Sequence, residues 1–158
     1  MDEDVLRRVL RRMVCGLYVV TTRHEDQIAA GTITWLTQVS GHPPILAVSL
    51  KEESGVAQLS RRSERFAVHL LAAGQENVAQ AFFAPAQVQD GRINGLACRA
   101  GNDGMPILSD APCVLECRVV ECITPGDHVV VLGEITTVHE HDQRSALVLA
   151  TTGWYYDG

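Results

Sequence analysis

GTITWLTQVSGHPPILAVSLKEES, residues 31–54, carries the topology. Thr32, Ile33, Thr34 and Trp35 alternate β-branched and large side chains, the mark of a strand. Gly41–His42–Pro43–Pro44 turns the chain, because two prolines remove two backbone donors and forbid a helix. Ile45–Leu50 is an apolar run between turn signals and reads as a buried strand. Ser54 then stands where it can cap a helix over Gly55–Ser63. The stretch therefore predicts a strand, a corner, a strand and a helix N-terminus. Hydroxyls and free backbone amides gather at one end of it, an arrangement that suits a phosphate-bearing ligand. Thr32 and Thr34 share a strand face, Lys51 adds a positive charge, and Ser54 sits where helix amides point outward. Threonines in strands and a serine N-cap also fit an ordinary fold with no ligand.

Outward from this stretch the pattern is mostly β. Asp2–Met13 has helical apolar spacing at Val5, Leu6, Val9, Leu10 and Met13, with a solvated basic face. Leu17–Thr22 reads as a strand leading through Arg23–Asp26 into a hairpin with Gln27–Thr34. Phe66–Leu71 is a further strand, and Glu76–Phe83 a short helix closed by Pro85. Pro85–Met105 has no clear period and is expected to be a long surface excursion, with room for a small hairpin or helix. Cys113–Glu121, His128–Val138 and Ala146–Ala150 are expected strands. Pro125–Gly126–Asp127 is a tight turn, and Gly133 marks a bulge or a close approach. Six or seven strands joined by turns and interrupted by small helices predict a mainly β fold, a closed antiparallel barrel in one domain over residues 1–158.

The chain has 158 residues, enough for one domain with a core, and a formal net charge of −6. That charge argues against nucleic acid as the main partner. No apolar run is long enough to span a membrane, and the acidic-then-basic start MDEDVLRRVL reads as no signal peptide. Five cysteines without a CxxC pair indicate neither a zinc site nor a disulfide framework, and fit a reducing cytoplasm. Cys113, Cys117 and Cys122 read as small strand residues. GxGxxG, Walker, GxSxG and HExxH motifs are all missing. His139 and His141 could share a strand face, but a solvated strand end is the reading adopted, so no metal ligand is assigned. Gly126–Asp127–His128 places an imidazole beside a carboxylate after a tight turn, where it can be oriented and titrate near neutrality. An ordinary turn with a surface histidine has the same pattern.

The order of these pieces resembles the flavin reductase-like family, whose fold is the FMN-binding split β-barrel. The matching pieces are GLYVVTT (16–22), residues 31–50, Ser54 with its helix, RFAVHLL (65–71), QENVAQAF (75–82), LECRVVE (115–121), PGDHVVVLGEI (125–135) and WYYDG (154–158). The resemblance implies FMN, in some members FAD, held at a homodimer interface and reduced by NADH or NADPH. It implies that Thr32, Ile33, Thr34 and Trp35 line the flavin ring and ribityl chain. Ser49, Leu50, Lys51 and Ser54 would meet the flavin and its phosphate, and Phe82 would lie near the ring. It makes His128 the candidate catalytic residue, facing the flavin and the incoming nicotinamide. The expected function is an NAD(P)H-dependent flavin reductase, in this family often serving a flavin-dependent oxygenase. The alternatives are an FMN-binding electron carrier and a flavin-binding module without turnover. Val56 departs from a threonine that donates to the phosphate in many members. Trp35 is bulkier than the family's usual residue, and Gly41–His42 replaces the usual pair before the prolines.

Overall fold

The computed structural model describes residues 1–158. Helix α1 spans Glu3–Leu10, with the Asp2 carboxylate accepting from the amides of Asp4 and Val5. The strands that follow are β1 (Tyr18–His24), β2 (Gln27–Ile33), β3 (Leu36–Gly41) and β4 (Pro44–Lys51). After them come α2 (Gly55–Ser63), β5 (Arg65–Leu70) and α3 (Glu76–Ala81). Four short strands, β6 (Val88–Gln89), β7 (Arg92–Ile93), β8 (Leu96–Ala100) and β9 (Pro106–Leu108), form a separate meander. The long strands β10 (Cys113–Ile123) and β11 (His128–Glu140) complete the set.

Seven strands make one antiparallel sheet in the order β2-β1-β5-β10-β11-β4-β3. Its two outermost strands, β2 and β3, are consecutive in the chain and joined only through Thr34–Trp35. Two residues can link opposite edges only if the sheet curls round until those edges meet. The barrel therefore has a seam, and residues 34–35 lie on it.

Alternation along the strands sends side chains to two cores. Val20, Val48, Phe66, Val68, Val129 and Val131 fill one, with Val56 and Ala57 of α2 packed in. Val19, Ala67, Leu71, Ile107, Val114 and Leu147 belong to the other, beneath α3 and the meander. Gly133 is a close approach: a Cβ there would lie 2.3 Å from Phe66 Cζ.

The structure corrects three expectations. Ala146–Ala150 is not a strand: Ala146 and Val148 make isolated bridges to Ala72 and Gly16, and Leu149–Thr151 is a 3-10 turn. Its apolar character serves burial, since Leu147 is 1% exposed. The 85–105 segment holds the hairpin allowed for there but is more ordered than a surface excursion: it belongs to the four-stranded meander, anchored by buried Ile93 and Met105. Helices α1 and α3 are shorter than expected, ending at Leu10 and Ala81 rather than Met13 and Phe83, while α2 spans Gly55–Ser63 as expected; Val5, Val9 and Leu10 of α1 are exposed, as is Met13 beyond it. Among the cysteines, Cys117 is buried, Cys113 half-buried and Cys122 exposed.

His69 ties the two sheets together. Leu108 N–H donates to its Nε2 at 3.0 Å, so Nδ1 carries the proton and donates to the Val19 carbonyl at 3.0 Å. Burial pushes its pKa down to about 4 from 6.5, against the opposing Val19 hydrogen bond. A proton added at Nε2 would face a donor and find no acceptor. The unfolded chain binds that proton more readily, so the stabilisation from neutral His69 is complete above pH 6.5. It falls as pH drops from 6.5 towards 4. Urea melts across this window should show stability falling by up to about 1.4 kcal/mol per pH unit from this group. His69→Gln should flatten that dependence, and an unchanged slope would contradict the assignment.

Candidate active site

A cleft of about 690 Å³ opens at the seam of the barrel. One wall comes from the end of β2, the seam itself and the end of β4. The second is the first turn of α2, and the third is the 82–86 segment after α3. Trp154, Tyr155 and Tyr156 cross the remaining side.

Thr32, Ile33, Thr34, Trp35, Ser49, Leu50, Lys51, Ser54 and Phe82 all line this one cleft. Thr32 Oγ1 donates to the Ala79 carbonyl at 2.6 Å, and its amide donates to the Phe82 carbonyl at 3.3 Å, which fixes α3 against β2. Phe82 is 3% exposed, so it forms the floor. Ser54 caps α2, its Oγ accepting from the Ala57 amide at 3.2 Å. The outward-pointing amides of the first turn carry the partial positive charge of a helix N-terminus. Lys51 is exposed and is the single charged residue in the lining. Gly31 and Gly55 leave the middle of the cleft open: a Cβ on Gly31 would come within 3.3 Å of Val56 Cγ2. Val56 touches the cleft but packs into the barrel core at 6% exposure, and its aliphatic side chain offers no donor.

Thr34 is the unusual member. It is 8% exposed, and its Oγ1 is buried with no hydrogen-bond partner. A buried hydroxyl without a partner costs about 1–3 kcal/mol, so a ligand that offers one is favoured there.

His128 is not in the lining. It is 5% exposed and stands one layer behind, with its ring centroid 4.8 Å from that of Trp35. Its Nδ1 donates to Asp127 Oδ1 at 2.8 Å, and its Nε2 accepts from the Tyr156 hydroxyl at 2.9 Å. The hydrogen bond from His128, aided by Lys51, holds the Asp127 carboxyl below the usual range. Burial, and then the Asp127 charge, raises the Tyr156 phenol, which therefore keeps its proton for His128. Trp35 also meets Tyr156 edge-on at 5.2 Å. Trp35, His128 and Tyr156 thus form one aromatic cluster of tilted and edge-on rings at the mouth of the cleft.

The aromatic wall at 154–156 and the side of Phe83 were not assigned from the sequence. The available signal was the run Trp154–Tyr155–Tyr156 in a chain that uses aromatics sparingly, 5% overall. His139 and His141 lie elsewhere: His139 hydrogen-bonds Glu116 at 2.6 Å and His141 meets Arg99 at 3.0 Å. No group of three His, Cys, Asp or Glu is placed to hold a metal ion, and no helix is long and apolar enough to cross a membrane.

This mainly β split-barrel fold is that of flavin reductases. Residues 10–156 match the flavin reductase like domain, and the chain belongs to that family. It is 32% identical over 155 residues to a probable flavin reductase of Rhizobium meliloti (strain 1021), covering 98% of this chain and 49% of that protein. The chain thus spans about half the length of that relative. It is 33% identical over 154 residues to the NADH:FMN oxidoreductase of Rhodococcus erythropolis, covering 95% of this chain and 79% of that one. The crystal structure of a nitrilotriacetate monooxygenase component B homologue from Mycobacterium thermoresistibile superposes with a TM-score of 0.81 at 26% identity, covering 93% and 82% of the two chains.

Proposed function

We propose that this protein is an NAD(P)H-dependent flavin reductase that binds FMN, or FAD, in the seam cleft. The observation that carries the proposal is the convergence of Thr32, Thr34, Lys51, Ser54 and Phe82 on one cleft, with the unpartnered Thr34 hydroxyl buried in its wall. The volume lies within the range of about 300–1,000 Å³ usual for small-molecule sites. Its apolar floor suits a flat ring, and Thr34 Oγ1 offers that ring a hydrogen bond. The α2 amides and Lys51 suit a phosphate. Backbone amides have to serve where the Val56 side chain cannot. A bound flavin would supply the acceptor for a hydride from NADH or NADPH.

The chain's own part is binding and alignment. Phe82, Ile33 and Leu50 exclude water from the floor, and Trp35 flanks the opening where a nicotinamide would stack. His128 contributes from the second layer, by orienting Trp35 and Tyr156. We further infer a homodimer, since the exposed Val5, Val9 and Leu10 of α1, with Met13 just beyond it, form an apolar stripe that such an assembly would cover. Supply of reduced flavin to a partner oxygenase fits the monooxygenase component among the structural relatives.

Anaerobic mixing of the FMN-loaded protein with NADH, and separately NADPH, tests the activity. Rapid bleaching of flavin absorbance is expected with at least one donor. Stable binding without bleaching by either would contradict the reductase reading and favour a carrier or binding module.

Thr34→Val separates stability from binding. Deleting an unpartnered buried hydroxyl should leave the free protein equally or more stable, while FMN affinity falls by roughly 0.5–1.5 kcal/mol for the lost hydrogen bond. Parallel thermal melts and FMN titrations check the opposite signs. A variant that binds as tightly as the parent would show that Thr34 does not meet the ligand.

A further inference from the structure

We propose that residues 154–157 form a strap that swings about Gly153 to admit flavin to the cleft, with Arg11 and His128 as the positioning residues that hold it closed. The inference rests on the seam cleft being the flavin site.

Three observations carry it. The first is how the segment is attached. Up to residue 152 the chain is fixed by backbone hydrogen bonds, with Leu147 N–H to Leu71, Leu149 N–H to Cys15 and Thr152 N–H to Leu149. The Trp154 amide still donates to Thr152 Oγ1. From Tyr155 onwards no backbone hydrogen bond ties the segment to anything. Segments of this kind open at low free energy while the body stays folded.

The second is the hinge. Gly153 has φ +76, and the space around it is open, with no atom within 4 Å of an added Cβ. A glycine loses nothing in this left-handed region and passes readily to others.

The third is the set of side chains that close the strap. Trp154 meets Phe83 edge-on at 5.2 Å across the cleft. The Arg11 guanidinium lies 3.8 Å from the Tyr155 ring centroid. The Tyr156 hydroxyl donates to His128. Asp157 is gripped by Arg11, whose Nε donates to Oδ1 at 2.8 Å and whose terminal nitrogen meets Oδ2, with Arg7 at 3.9 Å. Arg11 ends a helix that has no buried residue of its own. Trp154 leans on the core beneath α3 and His128 is buried, whereas Arg11 and Asp157 are exposed, so their clamp can release without disturbing the core. Trp154, Tyr155 and Tyr156 line the cleft directly, and a flavin leaving on that side must pass them.

Asp157→Asn and Arg11→Gln loosen the clamp at exposed positions that do not line the cleft, so folding is retained. Both tryptophans of the chain, Trp35 and Trp154, sit at the strap. Acrylamide quenching of their fluorescence therefore reports opening in the ligand-free protein. Quenching should rise in each variant, and the double variant should add little to Asp157→Asn, because the two residues act as one clamp. Stopped-flow mixing with FMN then distinguishes a gate from a wall. A gate gives association and dissociation rates that both rise, by about two- to fivefold for loss of an exposed ion pair, while Kd moves less than either rate. A faster dissociation with unchanged association would overturn the proposal, because the strap would then be a fixed wall contacting the ligand. Unchanged quenching would overturn it without any reference to flavin. If the parent protein shows the expected quenching pattern yet binds no FMN, the flavin reading of the cleft fails, and the strap's assignment as a flavin gate fails with it.

Discussion

Gly31→Leu is expected to abolish most flavin binding while leaving the barrel folded. Gly31 sits in β2 opposite Val20, and its missing side chain points at Val56 Cγ2, 3.3 Å from an ideal Cβ. Alanine there requires Val56 to give by a few tenths of an ångström. Leucine adds three further carbons with one open direction, the cleft. Because Gly31 is only half-buried, the new side chain can lean outwards, and the sheet need not reorganise. Overpacking a fitted site costs about 1–3 kcal/mol, which corresponds to roughly a 5- to 140-fold weaker Kd for FMN. Isothermal titration against FMN, with a thermal melt as the control for folding, measures both parts. Near-parental affinity in a folded Gly31→Leu protein would place the ligand elsewhere.

Gly133→Val should instead strike the fold. The residue lies in β11 between β10 and β4, where a Cβ would sit 2.3 Å from Phe66 Cζ and 3.0 Å from Cys117 Cβ. Phe66 is 1% exposed and walled in by the barrel core, so the ring has nowhere to retreat. A loss of about 1–3 kcal/mol or more follows from such overpacking, seen as a fall in Tm of roughly 3–10 °C for a domain of this size. Phe66→Leu is destabilising alone but should recover part of the loss when combined with Gly133→Val, because the two substitutions compete for one volume. Additive losses in the double variant would mean the contact is not the cause.

Local chemistry made some of this legible in the sequence and concealed the rest. The Ser54 cap and the 125–127 turn are decided within a few residues, and the sequence displays them; Gly133 stands out as a glycine inside a strand, although the Phe66 ring it makes room for is distant in the chain. The seam is different. Thr32–Ile33–Thr34–Trp35 alternates like a continuous strand, yet the strand stops at Ile33, because closure of a seven-stranded sheet needs the chain to change edges there. Nothing in four residues reports that closure. Ala146–Ala150 has the composition of a buried strand, but only Leu147 is buried and the segment finds only bridging partners at Gly16 and Ala72.

The meander's turns are written locally. Asp90–Gly91 and Asn94–Gly95 are hairpin dipeptides, and all four residues adopt positive φ. At the cleft, the residues near 32–35 and 49–54 stand out through the order of family pieces. The strap does not, since its clamp joins residues 146 positions apart. A contact of that range leaves no trace in local spacing. His128 was legible as an oriented imidazole, whereas its place behind Trp35 depends on how residues 154–158 fold back over it.

The central claim is that the seam cleft holds a flavin, and an equilibrium titration of the purified protein with FMN tests it most directly. Trp35 and Trp154 both line the cleft, so their fluorescence should quench in a saturable manner, with one flavin bound per chain. The same titration of Gly31→Leu should lose that quenching over the parent's concentration range. Absence of saturable quenching in the parent, or equal quenching in Gly31→Leu, would contradict the account.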